Sequence, residues 1–131
     1  MGVHTMMRQR EETIKVWFDM WLGDDSTPMN ALFTDDVVYT ECWGNQYSGK
    51  EEIGQWFRDW HKNNHMEVWK VTSFLHAEDK TVVEWHMEAL TRNGTPRWLD
   101  GIYVIEWDDS ERIKALREYG ANSRMIRPYG K

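Results

Sequence analysis

Between Tyr39 and Gly49 the chain reads YTECWGNQYSG, where Glu41 is the single carboxylate among aromatic residues, glycines and the only cysteine, Cys42. A carboxyl group with apolar neighbours resists ionisation, which equips it to hold or pass on a proton near neutral pH. At the end of a strand the same group would also serve as a plain polar cap, and the local sequence leaves both readings open. A second set of proton carriers alternates along Glu84, His86 and Glu88. On an extended strand these three share one face, spaced about 6.6 Å apart along the chain. That is too far for a metal's first shell without help from another segment, so no metal is expected. Cys42 would need a histidine base to act as a nucleophile. His61 and His65 fall toward the far end of a helix, so an ordinary semi-buried thiol is the reading.

Nine tryptophans, five tyrosines and four phenylalanines in 131 residues give more ring surface than packing requires, as in a chain that lines an apolar pocket or an interface. The net charge of -6 opposes nucleic-acid binding, which needs a basic stripe. Arg112, Lys114, Arg117, Arg124 and Arg127 gather near the end, but Glu111 and Glu118 interrupt them, as on a solvated face. One cysteine makes no internal disulfide, and no apolar run approaches the ~20 residues of a membrane span. The expected setting is the reducing cytoplasm, with no membrane partner.

These groups need elements to position them. Ile14, Trp17, Phe18 and Trp21 recur at helical spacing within a helix from Met6 to Leu22, ended by Gly23. Ser26 and Thr27 ahead of Pro28 predict a short second helix to about Phe33. A strand follows over Val37–Glu41, then a loop over Cys42–Tyr47. Ser48 stands three residues before Glu51 in capping-box register, opening a third helix with Ile53, Trp56, Phe57 and Trp60 on one stripe and its end near Asn63 and Asn64. Residues 67–76, 81–91, 97–107 and 112–121 then predict four strands of an antiparallel meander, separated by short turns. The whole predicts one α+β domain, residues 1–131, with helices covering one face of a sheet and loose ends at 1–5 and 125–131. Strand one must join the sheet through a longer connection.

Alternation on the second long strand puts Val83, Trp85, Met87 and Ala89 on one face and Glu84, His86, Glu88 and Leu90 on the other. Periodicity favours the first set as core, but spacing alone does not choose. The third strand has no clearly polar face. A sheet apolar on both sides predicts a homodimer through the outer sheet face.

Several segments together resemble the nuclear transport factor 2-like superfamily, in its SnoaL-like and ketosteroid-isomerase-like branch. They are the Gly23-Asp24 helix end, Leu32-Phe33-Thr34-Asp35-Asp36-Val37, Glu41-x-x-Gly44 with Ser48-Gly49, Glu51-Glu52-Ile53, Asn93-Gly94-x-Pro96, Leu99-Asp100-Gly101-Ile102 and the strand around Arg112-Ile113. The resemblance implies a cone-shaped, cystatin-like fold: N-terminal helices packed in a curved, mixed, mostly antiparallel sheet around a deep apolar cavity. It puts Glu41 where the isomerase branch carries its proton-shuttling acid, with Cys42 in place of a proline. Val16 and Tyr103 fall where that branch has its oxyanion-hole tyrosine and its protonated acid. By the same correspondence His86, Glu88 and Leu90, with Leu116, Glu118 and Gly120 on the last strand, would face the cavity.

The implied catalytic set is Glu41, His86, Glu88, Tyr103 and Glu118. Trp17, Trp21, Trp43, Trp56, Trp60, Leu90, Leu99 and Leu116 would form the walls. Neighbouring buried carboxyls cannot all ionise, so one or more would hold a proton and act as an acid opposite a base. The expected activity is proton transfer on an apolar or aromatic small molecule, in isomerisation, cyclisation, hydration or dehydration, with no cofactor. The alternative is a non-catalytic ligand-binding or dimerisation module of the same fold. Trp43 and Tyr47 would stand at the cavity mouth, and Asp100 would face away from Tyr103.

Overall fold

A computed structural model describes residues 2–130. Helix α1 (Val3–Gly23) buries Ile14, Trp17, Phe18 and Trp21, the stripe read from the sequence, and Asp24 ends it in the left-handed conformation with its N–H on the Met20 carbonyl. It begins ahead of the expected Met6. Of the ends expected to be loose, Met1 and Lys131 lie outside the described residues. Asp25 then accepts from the Thr27 amide and hydroxyl at 3.0 and 2.8 Å. This turn delivers Pro28 to the cap position of the one-turn helix α2 (Met29–Leu32).

Strand β1 (Phe33–Thr40) starts earlier than the sequence suggested, directly from α2. A short strand β2 (Gln46–Ser48) overlaps the end of the expected loop and pairs antiparallel with β1. Ser48 occupies the N-cap position of helix α3 (Gly49–Asn63), but its side chain makes no capping hydrogen bond, and its amide donates to Glu52 at 2.7 Å rather than to Glu51, so the expected capping box does not form. The meander follows as β3 (Asn64–His76), β4 (Lys80–Thr91), β5 (Pro96–Trp107) and β6 (Ile113–Ala121). The six strands form one curved sheet in the order β2-β1-β6-β5-β4-β3, with β1 parallel to β6 and every other pair antiparallel. This is the mixed α+β cone that the resemblance implied. The helices from the first half of the chain fill its concave side.

On β4 the sequence left two parities open, and the one transferred from the resemblance is wrong for this chain. Val83, Trp85 and Ala89 are buried toward the helices, while His86, Glu88 and Leu90 stand on the outer face. The decision comes from Trp85. It is registered opposite Gly101, and a Cβ at position 101 would lie 2.2 Å from the indole, so only glycine lets the ring lie flat across β5. Turning the strand over would expose that indole and bring Glu84, His86 and Glu88 into an apolar interior. Both changes cost free energy. His86 is instead held from both sides on the outer face, by Asp100 and Glu88 at 2.7 Å each. These hydrogen bonds, Glu88's the larger effect and Asp100's next, keep its imidazolium above the ordinary histidine range.

The narrow end of the cone is closed by Arg10, which is buried on α1. Its guanidinium meets the Glu111 carboxylate at 2.5 Å and the Ala77 and Glu78 carbonyls at 3.2 and 3.0 Å, tying the β3–β4 and β5–β6 turns to the helix. The wide end, where β1, β4 and β6 finish and β5 starts, stays open. Among the described residues no helix is long and apolar enough to cross a membrane.

Candidate active site

At the wide end lies a cavity of about 660 Å³ whose wall includes Glu41, Glu118, Trp21, Trp43, Trp56, Trp60 and Leu99. These are seven of the residues singled out from the sequence, from the β1–β2 turn, two strands and two helices. Its two inward carboxyls reach it by different routes. β1 ends at Thr40, and Glu41 opens the turn to β2, its amide bonded to the Asn45 carbonyl at 2.8 Å. Glu118 lies on the inner face of β6, registered opposite Tyr103, and only 5% of it is exposed.

The two acids are linked through the backbone. The Cys42 amide donates to Glu118 Oε1 at 3.1 Å, so the β6 acid docks on the turn that carries Glu41. Gly120 permits this approach, because a Cβ there would come within 3.0 Å of both Cys42 Sγ and Leu99 Cδ1. Burial pushes the Glu118 carboxyl from its ordinary 4.5 up to about 7; the hydrogen bonds from Cys42 oppose the rise and the nearby Glu41 charge adds to it. Burial raises Glu41 as well, but hydrogen bonds from Tyr47 and Trp43 favour its charged form and oppose the shift. The two carboxyls therefore differ in environment: one is dry and proton-retaining, the other has a phenol donor of its own. The Cys42 thiol is driven the other way from reactivity, up to about 12, by burial first and by Glu118 second.

Tyr47 belongs to the candidate site more closely than the sequence suggested. Expected only at the mouth, it donates its hydroxyl to Glu41 Oε1 at 2.6 Å. Its ring stacks on Trp56, with centroids 4.4 Å apart and planes 8° from parallel. An α3 tryptophan thus fixes the phenol that fixes the carboxylate. Met66, Trp69 and Asn64 of β3, Asp59 and Asn63 of α3, and Arg97 and Trp98 of β5 also line the wall and were not anticipated. A register shift between Met66 and Val68 breaks the two-residue period on β3, which conceals that Met66 and Trp69 face the same way.

The remaining expected residues lie elsewhere. Tyr103 is fully buried beneath the cavity, where it accepts from Trp17 Nε1 at 3.2 Å and shares a 2.7 Å hydrogen bond with the Tyr39 hydroxyl. Burial first, then the nearby Glu118 charge, raises its pKa well above the phenol range. It is wholly buried and is not among the residues that line the cavity, so its hydroxyl does not face the lumen. Trp17 and Leu116 are likewise core, not wall. His86, Glu88 and Leu90 are on the far side of the sheet, for the reason given by Trp85 and Gly101. Among the described residues no three His, Cys, Asp or Glu side chains are grouped so as to hold a metal ion.

A SnoaL-like domain model matches residues 14–116, most of the chain, from within α1 to within β6. The protein belongs to the SnoaL-like family. Solved structures of the same fold agree with that membership. A hypothetical protein with a ketosteroid isomerase-like fold from Catenulispora acidiphila, solved in complex with trimethylamine, is 20% identical with a TM-score of 0.73, covering 82% of this chain and 84% of that one. A putative isomerase from Bacillus subtilis is 19% identical with a TM-score of 0.77, covering 88% of each chain. An epoxide hydrolase from M. tuberculosis is 17% identical with a TM-score of 0.75, covering 87% and 84%. No curated protein matches the chain. At these identities the likeness is one of fold, and this SnoaL-like protein's chemistry has to be argued from its own cavity.

Proposed function

We propose that this SnoaL-like protein is a cofactor-independent general acid–base enzyme acting on a small molecule with an apolar body, and that Glu41 and Glu118 are its proton carriers. The observation that carries the reading is the pairing of two unequal carboxyls in one aromatic-walled cavity. Glu118 is protonated up to about pH 7 by burial, while Glu41 receives the Tyr47 hydroxyl. A pair pushed apart in this way supplies an acid and a base at the same pH. Glu41, as carboxylate, accepts a proton from substrate carbon or from a water; Glu118, as carboxylic acid, donates to the oxygen where negative charge develops. Glu41 then delivers its proton to a different substrate carbon, or to solvent after a hydration, and Glu118 takes its proton back from the product oxygen or from water, so the resting state is restored and no redox partner is consumed. Isomerisation, cyclisation and hydration share this requirement, which is why the fold supports all of them.

The test is turnover of a panel of enolisable ketones and epoxides with apolar bodies by wild type, Glu41→Gln and Glu118→Gln. The near-ultraviolet spectrum of the tryptophans verifies the fold of each variant. Loss of turnover in both folded variants is expected, and full turnover in both would refute the reading. A second reading, ligand binding without chemistry, draws on the Cys42–Glu118 hydrogen bond, since a carboxyl that pins a turn is also a structural device. That reading requires saturable quenching of tryptophan emission by ligands that are recovered unchanged.

A further inference from the structure

Charge in the cavity wall is divided by depth. Glu118 docks on the turn that carries Glu41, and the third acid of the wall, Asp59, is paired with Lys62 at 3.3 Å. The one cationic side chain in the wall is Arg97, at the rim. Strand register puts it there. Arg97 stands opposite the buried Ala89 near the start of β5, so it shares the inner face of the sheet. Tyr103, the residue opposite Glu118, comes further along β5, about 20 Å of extended chain from Arg97. Past the rim the cavity runs on into a second cleft of about 360 Å³, with which it shares Asn63 and Arg97; Thr91, Arg92, Asn93 and Thr95 at the β4–β5 turn line the rest. The two exposed arginines are the charged groups of this cleft, and neither pairs with a carboxylate among the described residues. Arg92 Nε donates to the Lys62 carbonyl, which leaves the terminal nitrogens of the guanidinium for a further acceptor. Asn93 accepts from the Thr95 amide and hydroxyl at 3.3 and 3.0 Å through its side-chain oxygen, so its NH2 is left to donate.

Resting on the reading that this cavity is the working site, we infer that its substrate carries a carboxylate-class oxyanion at the end remote from the reacting carbon, bound by Arg97 and Arg92 in the rim cleft while the apolar body reaches inward to Glu41 and Glu118. The guanidinium fork matches a planar oxyanion with two parallel N–H donors. The opposite orientation would bury an unpaired anion beside two carboxyls, in the part of the cavity that holds no cation, at a large desolvation cost. Charge therefore decides which end of the substrate enters. The length of β5 between Arg97 and the Glu118 row keeps the bound anion a Debye length, roughly 8 Å at physiological salt, or more from the buried acid. What field remains favours the protonated form of Glu118, which is the form its donor role needs. Glu41 has the Tyr47 hydroxyl to hold its charge.

The experiment compares 6-phenylhexanoate with 6-phenylhexanamide, which has the same apolar body without the charge, by calorimetry on the wild-type protein. Two exposed guanidinium contacts should make the acid bind about five- to tenfold more tightly than the amide. Raising the salt from about 20 mM to about 500 mM should shrink that preference and leave the amide's affinity in place. Arg97→Gln should bring the acid close to the amide, with the amide unchanged. Equal binding of the two ligands, tighter binding of the amide, a preference that ignores both salt and Arg97→Gln, or no binding of either overturns the inference. Because the key comparison is made on wild type, it does not depend on the variant's folding. The acid–base reading fails separately, through full turnover in the folded Glu41→Gln and Glu118→Gln variants, whichever ligand binds more tightly.

Discussion

The Cys42 amide and the Glu118 carboxylate are joined by a 3.1 Å hydrogen bond that ties the end of β6 to the turn following β1. Because β1 and β6 run parallel as neighbours, their ends arrive together, and this one bond brings two acids from residues 41 and 118 to the same cavity wall. The parallel pair of an otherwise antiparallel sheet is thus what assembles the site.

Glu118 should make stability depend on pH with a defined sign. Its carboxyl has a folded pKa of about 7 against an ordinary 4.5, so between these values the folded state holds a proton that the unfolded state has lost. Stability from this group is therefore fully present below about pH 4.5 and declines as pH rises to 7, by about 3 kcal/mol in all. Urea unfolding of Glu118→Gln, followed from about pH 4.5 to about pH 8, should show that part of the slope removed and the variant gaining on wild type at the alkaline end. An unaltered slope would mean that Glu118 titrates normally.

Activity should follow a bell-shaped pH profile, falling at high pH as Glu118 deprotonates near 7 and at low pH as Glu41 takes up a proton. Tyr47→Phe removes the donor that favours the Glu41 carboxylate, so the acid limb should move to higher pH while the alkaline limb stays in place. Its cost in stability should be about 1 kcal/mol. Movement of the alkaline limb alone would assign the phenol to the wrong acid.

Tyr103→Phe should separate a core role from a catalytic one. The hydroxyl lies between Trp17 Nε1 and the Tyr39 hydroxyl, and its loss strands one buried indole N–H, at a cost of about 1–3 kcal/mol. Turnover per folded molecule should stay close to wild type, because the hydroxyl does not reach the lumen. A large drop in kcat at unchanged stability would restore Tyr103 to the oxyanion-stabilising part first expected of it.

His86→Ala tests the parity of β4. Outside the cavity, paired with Asp100 and Glu88 on the partly exposed outer face, the imidazole should contribute less than about 1 kcal/mol to stability. Turnover should be unaffected. Activity lost in a folded His86→Ala would contradict the inward position of Trp85.

Gly101→Ala should be among the most damaging small substitutions, since its Cβ would sit 2.2 Å from the Trp85 ring and one of the two must shift. The overpacking cost is about 1–3 kcal/mol. Chemical denaturation reads it directly, and a neutral result would show that the indole can shift.

Much of this protein was legible along the chain. The α1 stripe of Ile14, Trp17, Phe18 and Trp21, the start of α3 at Ser48 and the four long strands all follow from local periodicity and turn chemistry, which depend on neighbours only a few residues away. Glu41 could be singled out because its aromatic surroundings are written beside it. Three things were decided only in the tertiary structure. The facing of β4 depends on Trp85 meeting Gly101, sixteen residues on, and a one-residue change of parity moves His86 and Glu88 from cavity to surface. The β3 bulge hides the inward pair Met66 and Trp69 from any two-residue count. The meeting of Glu118 with the Cys42 amide joins positions 76 residues apart, and nothing local to either predicts it. Periodicity encodes which face of an element is apolar; which acids share a dry space is set by how the strands register, and that is a property of the whole sheet.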